Sequence, residues 1–304
     1  MRFGPLMEVE QRRDALFSLT RASTRQAAKI APSMGIFLLF LLSLSAGSLS
    51  TLYWIPEDDL GRGYFQMNAL VVLGLLSLAA AVVWLHPFRP FGDHQAFGAL
   101  LLAVALLGGF LYYGAIWRER WRLGRWALTL ALSGSLAALL LAGPWVIVPR
   151  APLPHQPALL VASLLSSAFL LGWSLITMLL GHWYLVAPKL TFRHLVVFCW
   201  VLLAAALLRL ATVTATLAVA AGVDERTEPH PLRLLAGFTG QGIFFWFRLL
   251  WGLAIVVPLA AMSLHCARQR SNQSATGILY VVVVGTFIGE ITASYLSATT
   301  GVPV

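Results

Sequence analysis

Charged residues are scarce in this sequence: Asp, Glu, Lys and Arg together make up 11% of its 304 residues, whereas hydrophobic residues make up 59%. A soluble domain carries about 25% charged residues. A water-soluble protein of this size would need polar groups across its surface that this chain does not contain. With a mean hydropathy of +0.80, the sequence therefore indicates an integral membrane protein surrounded by a lipid bilayer.

Cysteine is also scarce, since only Cys199 and Cys266 are present and they lie far apart in the chain. Iron–sulfur and structural zinc sites need closely spaced ligand sets such as CxxC, and these are missing. The sequence also lacks the HExxH, Walker and nucleophile-elbow motifs of metalloproteases, ATPases and hydrolases. The net charge of +9 does not indicate nucleic acid as a partner, because arginines beside membrane spans serve topology first.

Long apolar runs dominate what is present. A helix needs about 20 mostly apolar residues to cross the hydrocarbon layer, and these runs lack the alternation of a membrane barrel. Residues 33–304 therefore predict an all-α, polytopic membrane protein with a bundle of eight transmembrane helices. The predicted spans are Ser33–Trp54, Gln66–His86, Ala96–Trp117, Trp126–Val148, Pro157–Leu185, His194–Gly222, Phe238–His265 and Ala275–Ser297.

Residues 1–32 form a separate basic N-terminal segment that we expect to lie at the membrane interface or to dock a partner. We call the side of the membrane that holds this segment side A and the opposite side B. Arginine and lysine are more numerous in the side-B loops than in the side-A loops, although the basic segment offsets this difference. We expect side A to be outside, with both ends of the chain there, in a cytoplasmic (inner) membrane of prokaryotic type.

Three ionisable residues lie within predicted spans: Arg209, Arg248 and Glu290. A charge in hydrocarbon is costly, so each should face the bundle interior and have a partner. Counting at 1.5 Å per residue places all three about 10 to 20 Å from side A, where they can meet. Neighbouring polar residues that could complete the cluster are Gln241, Thr212, Thr214 and Thr292.

Two interpretations of this cluster are open. Glu290 could neutralise one arginine and join three helices, or the cluster could border a site for a ligand with a polar head. A quinone suits the second interpretation, because its carbonyl oxygens accept hydrogen bonds and a carboxylate can relay a proton. The candidate residues for quinone binding and proton relay are Arg209, Gln241, Arg248 and Glu290, next to the aromatic run at residues 244–247.

The seven histidines all lie in loops or at the ends of predicted spans. A membrane bis-histidine haem needs imidazoles on facing helices at matching depth. His182 precedes a tryptophan and a tyrosine, which is typical of an interfacial aromatic belt. The alternative is a haem b or a metal held by His182 together with His265 or His194, all three on side B.

The last two predicted spans, "FWFRLLWGLAIVVPLAA" and "YVVVVGTFIGEITASYL", resemble the end of the membrane-anchor subunits of dimethyl sulfoxide reductase and polysulfide reductase. In those anchors an arginine lies in the first half of the penultimate helix and a Gly-Glu pair lies in the final helix, positions matched here by Arg248, Gly289 and Glu290. The family pattern continues with an arginine four residues after the glutamate, where this chain has Ser294. The resemblance implies an anchor without prosthetic groups that exchanges electrons between the quinone pool and an iron–sulfur subunit on the outer face.

The sequence thus favours a non-catalytic membrane-anchor subunit of a respiratory redox complex. Such a subunit would bind menaquinone or ubiquinone, or the corresponding quinol, and would exchange electrons with an iron–sulfur or cytochrome partner subunit. Two other hypotheses stay open. One is a haem-bearing membrane cytochrome subunit, and the other is a small-solute transporter that uses the intramembrane Arg/Glu cluster.

Overall fold

The computed structural model describes residues 33–55, 60–85, 89–186, 193–237 and 240–304, except for the side chain of Gln241. The basic segment 1–32 lies outside the described residues, so its interfacial or docking role stays a prediction. Eight helices among the described residues are long and apolar enough to cross a membrane. This result confirms the all-α class and the bundle of eight membrane-spanning helices.

The helices follow one another with short connections. The first six spans are α1 (Ser33–Tyr53), α2 (Arg62–Leu85), α3 (Gln95–Trp117), α4 (Trp121–Val146), α5 (Gln156–Val186) and α6 (Arg193–Ala221). A short helix, α7 (Pro231–Ala236), then precedes the seventh span. That span, α8, consists of Gln241–Phe247, a π-helical stretch Arg248–Ala254 and Val256–Arg268, and the eighth is α9 (Asn272–Thr300).

Several helices extend beyond the apolar runs that predicted them. The second begins at Arg62 rather than Gln66, and the last runs from Asn272 to Thr300 rather than from Ala275 to Ser297. Helical hydrogen bonds satisfy the backbone in the headgroup region as well as in hydrocarbon, and polar side chains are tolerated there. Hydropathy therefore locates the spans but underestimates the length of these helices.

Helix α1 is the most enclosed span, whereas α8 lies at the periphery. Gly47 of α1 contacts the backbone of α5 at Ala168 and Gly172, where an added Cβ atom would collide with main-chain atoms. Small residues allow membrane helices to approach closely where lipid supplies no hydrophobic driving force between them. This contact fixes α5 near the centre of the bundle, where it also packs against α6 and α9.

The chain turns back into the bundle after α9. Gly301 ends the helix in the left-handed conformation with φ of +73°, which glycine adopts without steric cost. Residues 302–304 then lie between α5, α6 and α9, with Val302 and Val304 both buried. We call residues 301–304 the strap.

Candidate functional site

Arg209, Arg248 and Glu290 form a buried ion network. Each of the three residues is only 1% exposed. Arg209 donates from Nε to Oε1 of Glu290 at 3.0 Å and from Nη2 to Oε2 at 2.9 Å. Arg248 donates from Nη2 to Oε1 at 3.4 Å. The structure thus brings together three of the four residues predicted for the site, while the side chain of Gln241 lies outside the described residues.

Three helices supply these groups: α6 carries Arg209, α8 carries Arg248 and α9 carries Glu290. Arg248 begins the π-helical stretch of α8, a widened turn that is rare and often found at functional sites. The next turn contains Gly252, which contacts Gly289 of α9. Because Gly289 precedes Glu290, this close approach holds Arg248 next to the carboxylate.

Helix α5 completes the site with serines that the sequence reasoning missed. Arg209 Nη1 donates to the carbonyl oxygen of Ser163 at 3.2 Å, to Ser163 Oγ at 2.9 Å and to Ser166 Oγ at 3.3 Å. The signal was present in the run "SLLSS", which places hydroxyls three and four residues apart on one face of an apolar helix. Such a face can solvate a buried guanidinium group from a neighbouring helix.

The two arginines differ in how completely they are bonded. Besides the α5 serines and Glu290, Arg209 donates from Nη2 to the main-chain oxygen of Val304 in the strap at 3.0 Å. Among the described residues, neither Nε nor Nη1 of Arg248 has a hydrogen-bond partner. Arg209 is therefore the central member of the network, and Arg248 is attached to it through Glu290.

A hydrophobic cavity of about 500 Å³ lies beside this network, between α1, α4, α5 and α6. Leu165 and Leu208 line it and are also exposed on the outer surface of the bundle, so the cavity faces lipid. The residues that line it are Ala46, Gly47, Ser50, Leu132, Leu136, Ala162, Leu165, Ser166, Ala168, Phe169, Leu208 and Thr212.

Two hydroxyl groups connect the cavity with the ion network. Ser166 Oγ and Thr212 Oγ1 are 3.0 Å apart and both residues line the cavity. Ser166 accepts from Arg209, and Thr212 donates to the main-chain oxygen of Arg209 at 2.8 Å. By contrast, Thr214 is exposed and Thr292 is half-buried, and both bond to carbonyl groups of their own helices.

The candidate haem ligands lie at the side-B ends of α5 and α8. The hydroxyl of Tyr280 lies 2.9 Å from Nδ1 of His182, and the side-chain amide of Gln269 lies 2.9 Å from Nε2 of His265. Both histidines are exposed. Each imidazole therefore already contacts a polar neighbour at the membrane interface, as in an aromatic belt.

Comparison with known proteins leaves the family of this chain unassigned. No protein-family model matches the sequence, and a search of the curated proteins finds no significant match. The resemblance to the reductase anchor subunits therefore stays a prediction that depends on Arg248, Gly289 and Glu290.

Proposed function

We propose that this protein is a membrane subunit of a respiratory redox complex that binds quinone or quinol in the lipid-facing cavity beside Arg209. The observation that carries this proposal is the direct hydrogen bond between the cavity hydroxyl of Ser166 and the buried guanidinium group of Arg209. The partner would be an iron–sulfur or cytochrome subunit, and the membrane a prokaryotic-type cytoplasmic membrane.

The shape and lining of the cavity suit a quinone. Ligand pockets of about 300 to 1,000 Å³ are usually apolar with a few polar groups that fix orientation, and this cavity has that composition. Phe169 offers a ring face for a quinone ring. The exposed edge at Leu165 and Leu208 allows a lipid-soluble molecule to enter sideways from the bilayer with its tail in the hydrocarbon.

The hydroxyl of Ser166 is the donor that we assign to a quinone carbonyl. Arg209 donates to the oxygen of Ser166, while the hydroxyl hydrogen of Ser166 has protein acceptors at Ser163 O (3.2 Å) and Thr212 Oγ1 (3.0 Å). To bind a quinone, this hydrogen would turn from those acceptors toward a carbonyl oxygen in the cavity. A charged donor behind the hydroxyl polarises it, since hydrogen bonds in a chain strengthen one another at low dielectric. Arg209 would thus favour the negative charge that builds up on the quinone oxygen during reduction.

Glu290 would act as a positioning residue for Arg209 in this arrangement. The sequence suggested a direct proton relay through the carboxylate, but Arg209 lies between Ser166 and Glu290, and arginine does not give up its proton in proteins. The bidentate contact holds the guanidinium plane in one orientation. The carboxylate thereby aims Nη1 of Arg209 at the α5 serines.

The electron balance of the quinol reaction requires a partner subunit that accepts or supplies two electrons. Oxidation of one quinol releases two electrons and two protons and leaves a quinone. The electrons would pass one at a time to the cluster or haem of the partner subunit, and the protons would pass to water. Reduction of quinone is the same reaction in reverse, with electrons supplied by the partner.

Ser166→Ala tests the cavity directly, with Ser174→Ala as the matched control on the same helix. Ser174 is also fully buried, but its hydroxyl bonds to Leu171 and does not line the cavity. We expect Ser166→Ala to raise the Kd of decylubiquinone or menaquinone-4 about tenfold, as for one lost hydrogen bond. The measurement is equilibrium binding by calorimetry with the purified protein in lipid nanodiscs.

Ser174→Ala should leave the affinity unchanged within the error of the titration. Equal affinities of the two serine variants would overturn the assignment of Ser166. Absence of saturable binding of either quinone to the unmodified protein would overturn the proposed function itself.

A further inference from the structure

The strap lies next to an open cleft on side A and is bonded both to a residue of that cleft and to the ion network. This cleft has a volume of about 800 Å³ and lies between the α4–α5 and α6–α7 connections. Its lining residues are Pro149, Arg150, Ala151, Pro152, Leu153, Pro154, Gln156, Gly222, Val223, Asp224 and Thr227. Because the cleft opens at the side-A ends of the spans and contains polar groups, we expect water to reach it.

The strap is held on both of its faces. Toward the cleft, Gln156 donates from Nε2 to the main-chain oxygen of Gly301 at 2.8 Å. Toward the bundle, the backbone amide of Val304 donates to Ser297 Oγ at 3.0 Å, and its main-chain oxygen accepts from Arg209. The strap therefore connects a residue of the cleft wall with the central arginine of the network.

The packing of the strap is separate from the main core of the bundle. Val302 and Val304 belong to a small apolar cluster with Leu153, Leu235 and Leu296, distinct from the large cluster that fills the centre. Arg209 would keep its contacts with Glu290 and the α5 serines if the strap withdrew. Withdrawal would expose the two buried valines and break the hydrogen bonds to Gln156, Ser297 and Arg209, but it would leave the main core and the rest of the network in place.

We propose that the strap is a gate between the side-A cleft and the Arg209–Glu290 pair. In the closed arrangement the Val304 oxygen occupies a donor position of Arg209 and the two valines exclude water. When the strap withdraws, water and small ions from the cleft reach Arg209 and Glu290. This access route holds whatever ligand the lipid-facing cavity takes.

A cysteine introduced at position 293, on the face of α9 between Glu290 and Ser297, would measure how often the gate opens. Ala293 lies on α9 between Glu290 and Ser297 and is 2% exposed. In a background with Cys199 and Cys266 replaced by alanine, Ala293→Cys would be treated with a charged, membrane-impermeant methanethiosulfonate. The rate of modification is measured by mass spectrometry on the purified protein in nanodiscs, without any quinone.

Two substitutions should open the gate. Gly301→Ala puts a Cβ atom 2.5 Å from the backbone of Val148 and Arg150 at a residue with φ of +73°, and Gln156→Ala removes the hydrogen bond to Gly301. Each should accelerate modification about tenfold, because the loss of about 1.4 kcal/mol from the closed state raises the open population by that factor.

Gly222→Ala is the matched control in the same cleft. Its added Cβ would have no neighbour nearer than 3.6 Å, so the modification rate should stay at the starting value. Rapid modification before any gate substitution, unchanged rates in the two opening variants, or equal acceleration by Gly222→Ala would each overturn the gate. If Gly301→Ala does not fold, the modification rate of Gln156→Ala alone tests the gate. Because no quinone is present, these outcomes leave the proposed quinone site untouched.

Discussion

Gly252 of α8 and Gly289 of α9 lie face to face where the two helices cross. A Cβ atom built on Gly252 would lie 2.7 Å from the Cα atom of Gly289, closer than real side chains approach. Arg248 lies one turn before Gly252, and Glu290 directly follows Gly289. The approach of the two backbones therefore sets the distance across which Arg248 reaches Glu290.

We predict that Gly289→Ala separates α8 from α9 and weakens the ion network. Overpacking of a tight contact typically costs about 1 to 3 kcal/mol, which should appear as a lower Tm in detergent. Gly277→Ala, on the same helix with open space around its Cα atom, should keep or raise the Tm, since alanine favours helix. Equal Tm values for the two variants would show that the glycine contact does not matter.

Glu290→Gln keeps the shape of the side chain but removes its negative charge, and it should destabilise the protein strongly. Removal of one partner from a buried ion pair costs about 3 to 5 kcal/mol, because the other charges are left uncompensated. Thermal unfolding checks this expectation, and quinol-linked turnover of the assembled complex should fall as Arg209 loses its orientation.

Glu119→Gln is the control for that substitution. Glu119 pairs with Arg62 at 3.0 Å, but the carboxylate side chain is 67% exposed, and exposed pairs contribute about 0 to 1 kcal/mol. The Tm of this variant should stay close to that of the unmodified protein. A similar Tm loss in both glutamine variants would contradict the distinction between buried and exposed pairs.

Arg209→Leu and Arg248→Leu should have unequal effects. Arg209 contacts Glu290, Ser163, Ser166 and Val304, whereas the one hydrogen bond found for Arg248 among the described residues is that to Glu290. We expect the leucine at position 209 to lower both the Tm and the quinone affinity more than the leucine at position 248. The reverse order, measured in the same nanodisc titration, would place the ligand near α8 instead.

Ala162→Phe should block the lipid-facing cavity by filling it. Ala162 lines the cavity on α5, and its neighbour Val161 is exposed to lipid outside it. Quinone binding should be abolished in Ala162→Phe and retained in Val161→Phe, with both proteins folding, since each added ring meets lipid or open space. Retained binding in the first variant would mean that the quinone occupies another site.

Much of the architecture could be predicted from the sequence because the bilayer imposes a strict length rule. Apolar runs of about 20 residues must be helices, since every backbone group in hydrocarbon needs an internal partner. The same rise per residue placed Arg209, Arg248 and Glu290 in one layer of the membrane. Depth is a property of sequence position along each span, so it could be calculated before any contact was known.

The contacts within that layer were decided by tertiary structure. Which helices become neighbours, and how each rotates about its axis, depends on close approaches such as Gly47 with Gly172 and Gly252 with Gly289. The arrangement and rotation of the helices place the serines of α5 next to Arg209 and point Thr214 and Thr292 away from the network. They also formed the cavity and folded the strap over Arg209, because a cavity or a closure belongs to the space between helices and to no single stretch of sequence.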